Sequence, residues 1–291
     1  MLLPTDGPTT MTTQTIELSA GTIDYQDTGG DGPVVVLLHG LLMDATLWDT
    51  VTEELRGRHR VLVPTLPMGA HARPMHDDAD LSPRALARLV GEFLERLGLR
   101  DVTLVGNDTG GALVQLLITE GTERVGSVVL ASCDAYDNFP PGLTGKTVVL
   151  TGKLPPALFG LFMQQMRVKP VRRLPIAFGW LTKRGDAVTA RWMRPILTQA
   201  GVRRDAVKVL RGIAADRRVL ETAAESLAGF DRPARVVWAE DDRVMPPDHG
   251  RRLAAALPQA RLVIIPDSYT LLPLDQPAAL ATTIHEAATT P

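Results

Sequence analysis

Five residues, Gly106-Asn107-Asp108-Thr109-Gly110, have the make-up of a turn that presents a reactive side chain. The apolar run Val102 to Val105 before them reads as a buried strand, and Ala112 to Ile118 after them as the apolar face of a helix. A sharp strand-to-helix turn holds its central residue in a strained conformation, and small residues on either side let the backbones pass closely. Gly106 and Gly110 are placed for that, with Asp108 at the centre. A carboxylate there is ionised near neutral pH and can attack an electrophilic carbon or take a proton. The plain alternative is a Gly-rich turn with a solvated Asp, so the motif needs partners elsewhere in the chain.

Three other loops supply them. Val34 to Leu38 is a continuous apolar run ending in His39-Gly40-Leu41. Arg235 to Trp238 ends in Ala239-Glu240-Asp241-Asp242, followed by Val244-Met245-Pro246. Arg261 to Ile265 leads into the segment from Asp267 to Pro277. Ligand sites in parallel sheets lie at the carboxyl ends of strands, and each of these loops leaves such an end.

Taken in chain order, the four loops resemble the α/β-hydrolase family, from about residue 15 onward. The resemblance implies an α/β fold: a mostly parallel sheet wrapped by helices, with an inserted helical lid. It makes His39-Gly40 the oxyanion loop, the backbone N–H groups of Leu41 and Thr109 the oxyanion donors, and Asp242 the acid. Asp108 takes the nucleophile position, where the family usually carries Ser. That substitution resembles the haloalkane dehalogenase and epoxide hydrolase branch, in which Asp attacks carbon and forms an ester.

A second departure is larger. The last loop of the family carries Gly-His, and here Tyr269 and Thr270 stand at those positions. His249 and His285 read as surface residues and poor substitutes. Hydrolysing an ester intermediate requires a deprotonated water, which Thr does not provide. His71, in the loop from Pro64 to His76, is the candidate replacement base, with an ordinary loop histidine as the alternative. Asp134, Tyr136 and Asp137 follow the next strand and either line the site or cap the turn there. Tyr136, Tyr269, Thr270 and Trp180 are the expected substrate contacts beside Leu41, Thr109 and His39.

The elements that must position these residues follow from periodicity. Short strands are expected at 15–18 and 22–27, and parallel ones at 34–38, 60–63, 102–105, 125–130, 235–238 and 261–265. Helices are expected at about 45–55, from Ser82-Pro83 onward, at 250–257 and at 278–288. Residues 1–14 read as a disordered leader, with Met11 as an alternative start. Residues 15–135 and 220–291 form the core, and residues 136–219, without clear strands, form the lid.

The chain has 291 residues, 45% hydrophobic and 22% charged, ordinary for one large globular domain. A formal net charge of -2 gives no electrostatic footprint for nucleic acid or an anionic membrane. A single cysteine fits a reducing cytoplasm. No metal-ligand spacing and no phosphate-binding loop is present, so no cofactor and no metal are expected. The expected partner is a small, largely apolar molecule under a Met- and Phe-rich lid. The leading reading is hydrolysis of an epoxide, halide, ester or lactone. A non-hydrolytic lyase, isomerase or cyclase that uses Asp108 for proton transfer is the alternative, and a non-catalytic ligand binder the third. Oligomeric state is not readable from the sequence.

Overall fold

The computed structural model describes residues 13–121 and 123–290. All but the last two residues of the expected leader lie outside them. Thr13 and Gln14 already belong to β1 (Thr13–Leu18), which pairs with β2 (Gly21–Asp27) in an antiparallel hairpin. The core strands are β3 (Val34–Leu38), β4 (Arg60–Pro64), β5 (Val102–Asp108), β6 (Val125–Cys133), β7 (Ala234–Ala239) and β8 (Ala260–Ile265). They form one eight-stranded sheet in the order β1-β2-β4-β3-β5-β6-β7-β8, parallel from β4 to β8. β5 lies near the middle and is buried along its whole length, which explains its unbroken apolar run.

Helices cover both faces. A 3₁₀ turn at Ala45–Trp48 leads into α1 (Asp49–Leu55). α2 (Pro83–Arg96) starts as expected, with the Ser82 side chain accepting from the backbone N–H of Ala85 and Pro83 in the first turn. α3 (Thr109–Glu120) follows the elbow and is buried through its first ten residues. That burial explains why it is apolar all round rather than on one stripe.

Between β6 and β7 the described residues hold helices and no strand. These are α4 (Gly142–Thr151), α5 (Pro156–Met163), α6 (Lys169–Arg172), α7 (Asp186–Thr198), α8 (Ala200–Ala215) and α9 (Val219–Ala224). Among the polar contacts that tie them to loops of the core are two from fully buried side chains. Trp192 Nε1 on α7 donates to Asp44 Oδ1 at 3.1 Å, and Asp205 on α8 accepts from the backbone N–H of Met75 at 2.8 Å. The chain closes with α10 (Pro247–Ala256), the short α11 (Leu272–Asp275) and α12 (Pro277–Thr289). No helix among the described residues is long and apolar enough to cross a membrane.

Candidate active site

The turn after β5 is strained as its residue types require. Asp108 has φ 55° and ψ -129°, a positive-φ conformation that non-glycine residues rarely adopt. The flanking glycines are steric necessities. A Cβ on Gly106 would lie 2.4 Å from the Gly110 carbonyl oxygen, and one on Gly110 2.3 Å from that of Leu38. Gly111 packs on Cys133 just as tightly.

The Asp108 carboxylate is held by its first oxygen. Oδ1 accepts from the backbone N–H of Thr109 at 2.7 Å, from that of Leu41 at 3.3 Å, and from Thr109 Oγ1 at 3.1 Å. The two backbone groups assigned from the sequence as oxyanion donors thus converge on Asp108 itself. Asp108 also lines a cavity of about 110 Å³, and among the described residues its Oδ2 accepts no hydrogen bond. Burial pushes the Asp108 pKa up, and the three donors act against that shift.

Asp134, at the end of β6, completes the arrangement. It is fully buried, and Thr109 Oγ1 lies 3.0 Å from its Oδ2. One hydroxyl proton cannot serve two carboxylates. A protonated Asp134 that donates to Thr109 Oγ1, which in turn donates to Asp108 Oδ1, satisfies both contacts. Burial, then the nearby Asp108 charge, raises the Asp134 pKa well above the usual carboxylate range and favours that arrangement.

His39 braces the oxyanion loop from below. Its Nε2 accepts from the backbone N–H of Leu66 at 2.8 Å, so Nδ1 carries the proton and donates to the Gly40 carbonyl at 2.8 Å. Burial lowers its pKa to about 4, so the ring is neutral. Asp242 and Thr270 meet at the opposite side. Asp242 Oδ1 accepts from Thr270 Oγ1 at 2.8 Å and from the backbone N–H groups of Val244 and Met245 at 3.0 and 2.8 Å. Burial raises the Asp242 pKa against these donors. Asn107 Nδ2 donates to the Thr270 carbonyl at 2.8 Å and so ties the last loop to the elbow.

The remaining expected site residues lie elsewhere. Both ring nitrogens of His71 are engaged: Nδ1 accepts from the backbone N–H of Gly69 at 3.3 Å, and Nε2 pairs with Asp205 Oδ2 at 3.3 Å. A histidine so occupied has no lone pair free to deprotonate water, and His71 does not line the cavity. Tyr136 packs between His249 and Arg252, with the guanidinium 3.7 Å from its ring centre. Tyr269 lies near Lys183 and Arg243, 5.0 and 4.7 Å from its ring centre. Neither tyrosine, nor Trp180, nor Thr270, borders the cavity. His249 is buried rather than on the surface, and His285 Nδ1 lies 2.8 Å from His59 Nε2.

Apolar side chains of the helical insertion, among them Val149, Met163, Met166 and Phe178, roof the cavity. Its polar lining groups are Asp108, Thr109, Thr144, Thr147 and Gln165. The Thr144 hydroxyl is engaged by the Pro175 carbonyl at 2.8 Å. Gln165 and Thr147 carried no sequence signal, because no motif marks an isolated polar residue in the helical insertion. Among the described residues no group of His, Cys, Asp and Glu side chains stands together to hold a metal ion.

This sheet order, with the strained turn after β5 and the acid after β7, decides the family together with one further observation: residues 35–283 match the alpha/beta hydrolase family. The chain belongs to that family. It is 27% identical to haloalkane dehalogenase 2 of Mycobacterium bovis, over 92% of each chain. It is 26% identical to a 2-hydroxy-6-oxononadienedioate/2-hydroxy-6-oxononatrienedioate hydrolase of Cupriavidus pinatubonensis, over 83% of this chain and 82% of that one. Among solved structures, an alpha/beta hydrolase fold protein from Burkholderia ambifaria superposes with a TM-score of 0.74, 25% identical, over 94% of this chain and 97% of that one. In this alpha/beta hydrolase the strained turn after β5 carries Asp108, and the last loop carries Thr270.

Proposed function

We propose that this alpha/beta hydrolase uses Asp108 as a nucleophile toward carbon, on a small, largely apolar electrophile bound in the cavity. The observation that carries this reading is the position of Asp108 Oδ1 on both backbone donors, Leu41 and Thr109. A serine enzyme keeps such donors vacant for the carbonyl oxygen of an ester. Here they are filled by the carboxylate, which leaves no vacant donor pair for an ester substrate and leaves Oδ2 as the attacking atom. Oδ2 forms the new C–O bond, and the leaving group departs with the electron pair of the bond it breaks. Oδ1 then becomes the carbonyl oxygen of the enzyme ester, already seated on the two N–H groups that stabilise an attacking water's tetrahedral product.

The departing atom needs a donor. No Trp, Tyr or Asn lines the cavity. Gln165 and Thr147 are the polar groups in position to take that part. The likeness in sequence to a haloalkane dehalogenase supports a carbon-directed carboxylate in this chain.

A second reading is favoured by one specific observation: no imidazole lines the cavity. Without a base, an enzyme ester turns over slowly. Proton transfer by Asp108 in a lyase, isomerase or cyclase avoids that step, and burial makes the carboxylate more basic. Turnover in ¹⁸O-labelled water separates the two. The nucleophilic cycle leaves label in the peptide that holds Asp108, because water attacks the ester carbonyl there. An active enzyme with an unlabelled Asp108 would establish proton transfer instead.

A further inference from the structure

Ten large hydrophobic side chains stand exposed among the described residues, and eight of them fall between Leu143 and Ile176. Isolated exposed leucines are ordinary, whereas a concentration of this kind marks a contact surface. On α4, Leu143 and Leu150 lie two turns apart on one side, with Lys146 between them. On α5, Leu158, Leu161 and Phe162 share a face, and Leu161 is 70% exposed. The Thr144 hydroxyl bonds the Pro175 carbonyl, which holds α4 beside Leu174 and Ile176.

Charge is segregated in the same place. From Gly142 to Ala215 there are fourteen Lys and Arg, two Asp and no Glu. The rest of the chain holds seventeen basic and thirty-one acidic residues. The overall charge of -2, which suggested no anionic partner, therefore averages a basic insertion and an acidic remainder of the chain. Within Gly142 to Ile176 six residues are basic and none is acidic. Lys169 and Arg173 are paired with Asp186, whereas Lys146 and Lys153 are exposed and make no ion pair among the described residues.

We infer that this face of α4, α5 and the 174–176 segment docks on an anionic lipid bilayer. Short helices with leucines on the outer face and lysines beside them are suited to that interface. The apolar groups enter the acyl boundary, and the lysine stems extend to the headgroups. A second copy of this chain would bring Lys146 and Lys153 up against the same unpaired lysines, and like charges oppose that. Phe162, Leu174 and Ile176 both border the cavity and stand exposed, so the cavity opens on this same face. An apolar molecule dissolved in the bilayer then reaches Asp108 without crossing water. That last step rests on the cavity being the reaction site, and the docking itself does not.

Co-sedimentation of the full chain with vesicles tests the docking. Binding to vesicles containing phosphatidylglycerol should exceed binding to pure phosphatidylcholine by about tenfold or more, and fall as salt is raised. Leu158→Asp with Leu161→Asp, and separately Lys146→Glu with Lys153→Glu, should each weaken that binding by about tenfold or more while the melting curve stays unchanged. Asp108→Asn should bind as the wild type does, so failure of docking and failure of the chemistry are read apart. Absence of binding, equal binding to both vesicles, or variants that bind like the wild type would overturn the inference. So would a dimer in light scattering that the leucine variant dissociates, since the face would then belong to a second copy.

Discussion

A Cβ placed on Gly40 would come within 2.3 Å of Asp108 Oδ1. The second residue of the His39-Gly40 pair is therefore the floor on which the carboxylate rests, and its lack of a side chain lets Leu41 N–H reach the same oxygen. Gly40→Ala should push the carboxylate off its donors and lower kcat/KM by about 10²-fold, the usual consequence of an ångström-scale misplacement. The loss should fall mainly on kcat, because the apolar walls that bind substrate are untouched. Steady-state kinetics beside a melting curve checks this, and an unchanged kcat would mean that Oδ1 does not need this seat.

Asp108→Asn should abolish turnover, by about 10⁴-fold or more, since an amide is neither nucleophile nor base at neutral pH. Stability should hold or rise, because the buried amide carries no charge to desolvate, and it is that desolvation that raises the Asp108 pKa. Activity of the wild type should also show an acid limb above the ordinary carboxylate range, being lost as pH falls through that raised pKa. A folded, active Asp108→Asn protein would remove Asp108 from the chemistry altogether.

Asp134 makes a stability prediction with a definite sign. Its folded pKa lies well above the unfolded value of about 4, so between the two the native state holds a proton that the unfolded state lacks. That contribution is fully present below the unfolded pKa and is lost as pH rises through the folded one. The amide introduced by Asp134→Asn keeps a donor toward Thr109 Oγ1 but carries no titrating proton. The melting temperature of Asp134→Asn relative to wild type should therefore climb as pH is raised, by up to about 1.4 kcal/mol per pH unit in the underlying stability. A difference that is flat with pH would show that Asp134 is ionised in the native state.

His71 is expected to matter to folding rather than to chemistry. His71→Ala removes the partner of a carboxylate that is completely buried, and Asp205 retains Met75 N–H and Arg204. A loss of about 1–3 kcal/mol in stability follows, with kcat per folded molecule within a few-fold of wild type. Denaturant unfolding and active-site titration measure the two separately. A collapse of kcat at full stability would restore His71 as a base.

How much of this was legible in the sequence depended on what fixed each residue. Gly106, Asp108 and Gly110 were legible because a strained turn between strand and helix admits few residue types, and Asp242 with Thr270 because strand order brings their loops together. The six core strands were legible from apolar runs, and β1 and β2 as two short strands before them. Leu41, Thr109 and the Met- and Phe-rich roof of the cavity were anticipated, whereas Thr147 and Gln165 were not, because which polar groups enter is set by how helices from Gly142 to Ala215 pack, a tertiary outcome with no local signature. Tyr136 sits two residues past Asp134, yet its ring turns toward His249 and Arg252. His71 looked free only because Asp205, its partner, lies 134 positions away. The basic, leucine-bearing surface of the insertion was written in the sequence throughout, but a single net charge concealed it.

Thr270 offers the sharpest test of the missing step. Its hydroxyl reaches Asp242 Oδ1 at 2.8 Å, so a side chain at this position is already oriented by the acid. An imidazole there would be held by the same carboxylate, as the base of the related enzymes is in the family pattern. Thr270→His should cost about 1–3 kcal/mol in stability, because Thr270 is fully buried and the ring is larger. If Asp108 forms an ester, the wild type should accumulate it, seen as an initial burst of leaving group and a mass increase on the Asp108 peptide. Thr270→His should shorten the life of that species and raise the steady rate relative to the burst. If Asp108 only moves protons, no such species accumulates in either protein, and the substitution leaves the rate unchanged or lower. Intact-protein mass spectrometry after rapid quenching distinguishes these outcomes.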